Sequence, residues 1–198
     1  MENKNQKNFK LNTGYRIDEI VLLFVLSTVI GLIFFLWTYA YDFFKVFLKP
    51  LGLSGLNVGI WMIGGILPAL IIRKPGAALI GEVIAAFVEG WITKWGITAV
   101  LWGFVQGLGA ELVFLLFLYR KWNLLTSILA GLLSCIFSFI LDFFYSKYYT
   151  LTLKFNILQF ISYSISGIIE AGVVSYVLFN LLKRSGVINK YIQRNEQQ

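Results

Sequence analysis

The sequence predicts an all-α integral membrane protein with six transmembrane helices and both termini in the cytoplasm. Three observations carry this. Of 198 residues, 58% are hydrophobic and 14% charged, whereas an ordinary soluble domain carries about 25% charged residues. The mean hydropathy of +0.76 is concentrated in uncharged blocks approaching or exceeding the roughly 20 apolar residues that cross a bilayer. The basic residues fall between those blocks rather than within them.

The polar, basic segment 1–16 is expected to be cytoplasmic. It does not resemble a cleavable signal, because the apolar run behind it, 17–40, is too long for a signal core and lacks a small-residue cleavage site. A single membrane domain, 17–182, follows. Its first span ends in a break at 42–57 that contains Pro50 and Gly52. The second span, 58–72, stops at Arg73-Lys74-Pro75, and Pro75 suits the first turn of the next helix. Spans at 76–90, 97–119, 124–145 and 157–182 complete the set, before a basic and polar cytoplasmic tail at 183–198. The second and third runs are short, at about 15 residues each, so a five-span chain with 58–90 as a re-entrant hairpin is the alternative.

Charge sets the orientation. Lys4, Lys7, Lys10, Arg16, Arg73, Lys74, Arg120, Lys121, Lys183, Arg184, Lys190 and Arg194 fall on one side, and Lys45, Lys49, Lys94, Lys147 and Lys154 on the other. The richer side is cytoplasmic by the positive-inside rule. The net charge of +7 is thus an orientation signal, and no basic face for nucleic acid is expected. The absence of histidine and the single Cys135 exclude imidazole bases, His/Cys metal sites and an internal disulfide. No enzyme activity, metal or cofactor is expected, and these residues leave no room for an ATPase domain.

The acids behave differently from the bases. Glu82, Glu89, Glu111, Asp142 and Glu170 fall inside apolar runs, where a carboxylate is costly and marks a functional site by default. Asp142, near the outer end of its span, either reaches the interface or belongs to that site. Glu82 and Glu89, seven apart, share one helix face with the small Ala85 and Ala86 between them. Gly103, Gln106, Gly107, Ala110 and Glu111 form a small, polar stripe on the fourth span, in which the glycines suit helix packing. Trp37, Tyr39, Tyr41, Trp91, Trp95, Tyr145, Tyr148 and Tyr149 gather at the outer side. They form either an interfacial belt or, with the acids, a cage for a flat cation.

The stretch from Trp61 to Phe114 carries Arg73-Lys-Pro-Gly-Ala-Ala78 and Gln106-Gly-Leu-Gly-Ala-Glu111. It resembles the substrate-binding S component of an energy-coupling factor (ECF) vitamin transporter, and within that family the YkoE-like thiamine/hydroxymethylpyrimidine group. The resemblance implies a six-helix bundle whose outward pocket is capped by the loop at 42–57. It implies import of thiamine or hydroxymethylpyrimidine at the cell membrane, together with a transmembrane coupling protein and two cytoplasmic ATPases. On this reading Glu89 and Glu82 neutralise or hydrogen-bond the ligand, Gln106 and Glu111 read its pyrimidine edge, and Trp61, Trp95 and Tyr163 form walls. Glu170 either joins them or pairs with hydroxyls between helices. Ser27 and Gly31, the small pair on the first span, correspond to the coupling-protein contact. The thiazolium cation of thiamine suits the acidic interior and favours it over the neutral pyrimidine. The alternative is a stand-alone proton-coupled carrier for a small organic cation.

Overall fold

The computed structural model describes residues 14–196 and contains six helical rods. Lys4, Lys7 and Lys10, and most of the polar segment 1–16, lie outside the described residues. Helix α1 (Ile17–Leu48) begins where Glu19 accepts a hydrogen bond from the Arg16 backbone N–H at 2.9 Å. It continues past the expected end of its apolar run, because nothing breaks a helix before Pro50 and Gly52, the latter with φ +73°. Asp42 and Lys45 therefore sit on the helix rather than in a loop, and the connection to the second rod begins only at Lys49.

The second rod starts as two short 3-10 turns (Ser54–Asn57 and Gly59–Met62) and continues as α2 (Ile63–Ile72). It is the centre of the bundle: Ile66, Leu70, Ile71 and Ile72 have no exposed surface. Pro68 lies within α2 and removes the N–H that would bond the Gly64 carbonyl. That carbonyl faces Gly81, where an added Cβ would lie 2.7 Å from it. Helix α3 (Ala77–Ile92) packs there and completes the pair that the sequence left open between two spans and one hairpin. Helices α4 (Thr98–Leu116) and α5 (Leu124–Tyr145) follow. The last rod joins α6 (Leu153–Ser166), a π-helical segment (Gly167–Val173) and α7 (Val174–Arg184). Five of the six rods are long and apolar enough to span a bilayer, and α3, at 16 residues, is the short one between them.

The small residues fix how closely the rods approach. A Cβ at Gly103 would lie 2.4 Å from the Ala86 Cβ, and one at Gly107 would lie 2.9 Å from the Glu82 Cβ, so α4 lies directly on the acidic face of α3. Gly31 does the same for α1, with the Ala85 carbonyl 2.6 Å from where its Cβ would stand. The outer side of α1 leaves Phe24, Val25, Ile33 and Leu36 about half exposed or more, a face for lipid chains.

At the inner end, the segment after α7 is not a free tail. Ile188 and Ile192 are buried, and helix α8 (Asn189–Glu196) folds back on the bundle. Arg194 donates to Asp18 at 2.9 Å and to Glu19 at 3.0 Å. Glu19 also takes the Lys74 ammonium at 2.6 Å, with both side chains buried. The bonds to Asp18 and Glu19 hold the Arg194 guanidinium above its ordinary pKa.

Candidate functional site

An outward cavity of about 350 Å³ opens between α1, the start of the second rod and α3 to α6, a size within the range of small-molecule sites. The packing of α4 on α3 places Glu82, Glu89 and Gln106 along its inner wall. The outer end of α1 contributes Tyr41 and Lys45, the start of the second rod Val58 and Trp61, and the α3–α4 connection Lys94 and Trp95. Ser138, Asp142 and Tyr145 of α5, with Tyr148 beyond it and Tyr163 of α6, close the far side.

Glu89 is the best-organised acid. Its Oε1 accepts from Trp61 Nε1 and from Thr38 Oγ1, each at 2.8 Å, and Trp95 Nε1 in turn donates to Thr38 at 3.4 Å. Two indoles thus aim one carboxylate. Across the cavity Asp142 accepts from the Tyr163 hydroxyl at 2.7 Å. Tyr148 stands beside it, and burial, reinforced by the Asp142 charge, pushes its phenol up to about 12, so it remains a neutral hydroxyl at physiological pH. At the floor Gln106 donates to Ser138 at 3.1 Å. Glu82, 1% exposed, has no well-formed hydrogen bond to either oxygen, although the Gly65 backbone amide faces it. The walls are aromatic: Tyr41 meets Trp61 edge-on at 5.0 Å, and Trp102 meets Tyr145 at 4.6 Å.

Among the residues expected at the site, Glu82, Glu89, Gln106, Trp61, Trp95 and Tyr163 meet around this cavity. Four others do not. Glu111 lies at the inner end of the bundle and caps α3 from the neighbouring helix, accepting from the backbone N–H groups of Gly76 at 2.6 Å, Ala78 at 3.0 Å and Leu79 at 3.3 Å. Tyr119 adds a hydroxyl at 2.7 Å. Glu170 accepts from Ser166 at 2.8 Å, between the π-helical segment and the Gly59 turn, away from the cavity lining. Ser27, with no exposed surface, and Gly31, against α3, face the bundle interior and offer nothing to a partner protein.

The two motifs that carry the resemblance are therefore halves of one joint. Lys74 bonds Glu19, the Pro75 carbonyl accepts from Tyr15 at 2.9 Å, Gly76 takes φ +87°, and the Gly76, Ala78 and Leu79 amides land on Glu111. Replacing Glu111 by alanine orphans three amides and is expected to lower stability by about 2–3 kcal/mol. Thermal melting of the purified chain would show the loss, while ligand affinity of the folded fraction stays within about threefold.

Lys45, Trp102 and Ser138 line the cavity unforeseen, and Tyr41, Tyr148 and Asp142, each open between the interface and the site in the sequence, line it as well. The helical spacing of Tyr41 and Lys45, four apart with no breaker before Pro50, was the available signal.

Comparison with known proteins decides the family. A family model described as "ABC-type cobalt transport system, permease component" matches residues 18–137. A solved structure described as an S-component of an ECF transporter superimposes with a TM-score of 0.85 at 33% identity, covering 93% of this chain and 96% of that one. The chain belongs to the ECF S components. It is a substrate-binding transporter subunit, not an enzyme, and a multi-pass protein of the plasma membrane. A curated relative, the putative HMP/thiamine permease protein YkoE of Bacillus subtilis (strain 168), is 35% identical over 89% of this chain and 88% of its own length. The S-component likeness brings a vitamin-type ligand and membrane-embedded ECF partners with it. The cobalt in the family model's description has no matching ligand set: among the described residues no three His, Cys, Asp or Glu side chains group as a metal site.

Proposed function

We propose that this S component captures thiamine, or its hydroxymethylpyrimidine precursor, from outside the cell. It delivers the ligand inward with a transmembrane coupling protein and two cytoplasmic ATPases. The observation that carries the reading is the pairing of an aromatic cavity with three carboxylates, Glu82, Glu89 and Asp142. Aromatic faces and acids suit a planar organic cation, and Gln106 with Ser138 offers the amide and hydroxyl chemistry that reads an aminopyrimidine edge. The name of the relative at 35% identity supports the same ligand class.

Thiamine is favoured over the neutral pyrimidine because its thiazolium neutralises a carboxylate that otherwise stands in an apolar wall. Binding comes first and needs no nucleotide. Movement then follows from ATP hydrolysis in the partners.

The test is calorimetry on the purified chain in detergent without ATP. Saturable binding of thiamine is expected. No heat with thiamine, its phosphates or hydroxymethylpyrimidine overturns the assignment, and uptake by the chain alone in vesicles under a pH gradient would favour a proton-coupled carrier instead.

A further inference from the structure

A lysine stands in the pocket proposed for a cation. Lys45 follows Tyr41 by one helical turn on α1, and its ammonium lies 5.1 Å from the Tyr41 ring centroid and 6.0 Å from that of Trp95. All three residues line the cavity. The other ammonium at the mouth, Lys94, is matched by the Asp42 carboxylate. Lys45 forms no ion pair among the described residues, although it lies within electrostatic reach of Asp142. An ammonium resting on aromatic faces uses the same attraction that would hold an organic cation.

We propose that Lys45 is a tethered cation that sets the charge selectivity of the cavity. Its ammonium lies against the Tyr41 face, at the edge of the Trp95 ring that it shares with Lys94, and offsets part of the negative charge of Asp142. An incoming cation must compete with it, whereas a neutral ring of similar shape does not. The residue therefore holds down the preference for charged over neutral ligands. The proposal rests on the reading of this cavity as the ligand site.

The experiment is a ratio, which separates charge selectivity from general damage. Affinities for thiamine and for hydroxymethylpyrimidine are measured by calorimetry on the full chain and on its Lys45→Met and Lys45→Arg variants. Lys45→Met is expected to raise the thiamine-to-pyrimidine affinity ratio about tenfold, as removal of one partly screened like charge requires. Lys45→Arg, which keeps the charge, is expected to leave the ratio within about threefold. Lys45→Gln gives the same readout if Lys45→Met fails to fold. An unchanged ratio in the neutral variants, or an equal fall in both affinities, overturns the role of Lys45 and leaves the binding site intact. If the unmodified chain binds neither compound, the functional reading itself falls and takes this proposal with it.

Discussion

Replacing Glu89 by glutamine is expected to weaken thiamine binding by about 100-fold, or about 3 kcal/mol, the range for removing one partner of a buried, hydrogen-bonded charge pair. The substitution is close to isosteric, so the frame around it survives: a glutamine oxygen still accepts from Trp61 and Thr38, which hold Glu89 Oε1 at 2.8 Å each. What disappears is the charge. Among the described residues no donor is recorded on Glu89 Oε2, which leaves that oxygen for a ligand in the cavity. A carboxylate aimed by an indole and a hydroxyl keeps one rotamer before the ligand arrives, so little ordering cost falls on binding. Hydroxymethylpyrimidine, without the thiazolium, is expected to lose about tenfold or less. The measurement is calorimetry with both compounds, alongside a melting curve. Thiamine affinity within threefold of the unmodified chain would remove Glu89 from the cation site, and a large fall in melting temperature would make it a packing residue.

How far this site was legible in the sequence depended on the geometry each residue needed. Glu82 and Glu89 were readable because seven residues close two helical turns, and both acids do share the cavity face of α3. Gln106 and Glu111 show the limit of the same reasoning. Five residues advance a helix by about 7.5 Å and rotate it well off the starting face, so one looks into the outer cavity and the other reaches the amides that open α3. Helical periodicity gives a face, but the height of a residue against its neighbours comes only from packing. Ser27 and Gly31 failed for a related reason: a small pair on an apolar helix marks a close contact without saying with whom, and α3 of the same chain is the partner. Lys45 is hidden at a boundary, since the charges at Asp42 and Lys45 suggest the end of a span that runs on to Leu48. Lys74 was placed in a loop, where its position between two rods buries it against Glu19. The six-rod plan and its inward termini, by contrast, follow from apolar blocks and charge sides that no packing detail alters.

Glu82 separates stability from function most sharply, because its replacement by methionine is expected to move the two in opposite directions. Its carboxylate is 1% exposed and neither oxygen has a well-formed hydrogen bond. The backbone of α2 closes in from one side: a Cβ at Gly64 would stand 3.0 Å from Glu82 Oε2, and one at Gly65 would stand 3.3 Å from it. A buried polar group in that state costs about 1–3 kcal/mol when neutral and more when ionised. Methionine has similar length and flexibility and no group to satisfy, so the empty chain should gain about 1–3 kcal/mol and melt at a higher temperature. The same variant should bind thiamine at least about tenfold more weakly, since the group that needs a partner is the one that a ligand's polar edge supplies. Ligand also raises the melting temperature of the unmodified chain in proportion to its affinity, so the shift on adding thiamine should shrink as the starting temperature rises. A merely structural acid gives the reverse result, a lower melting temperature with an unchanged ligand shift. Melting curves of Glu82→Met with and without thiamine distinguish the two, and only the crossed outcome fits a buried carboxylate that has no well-formed hydrogen bond of its own and gains one from the ligand.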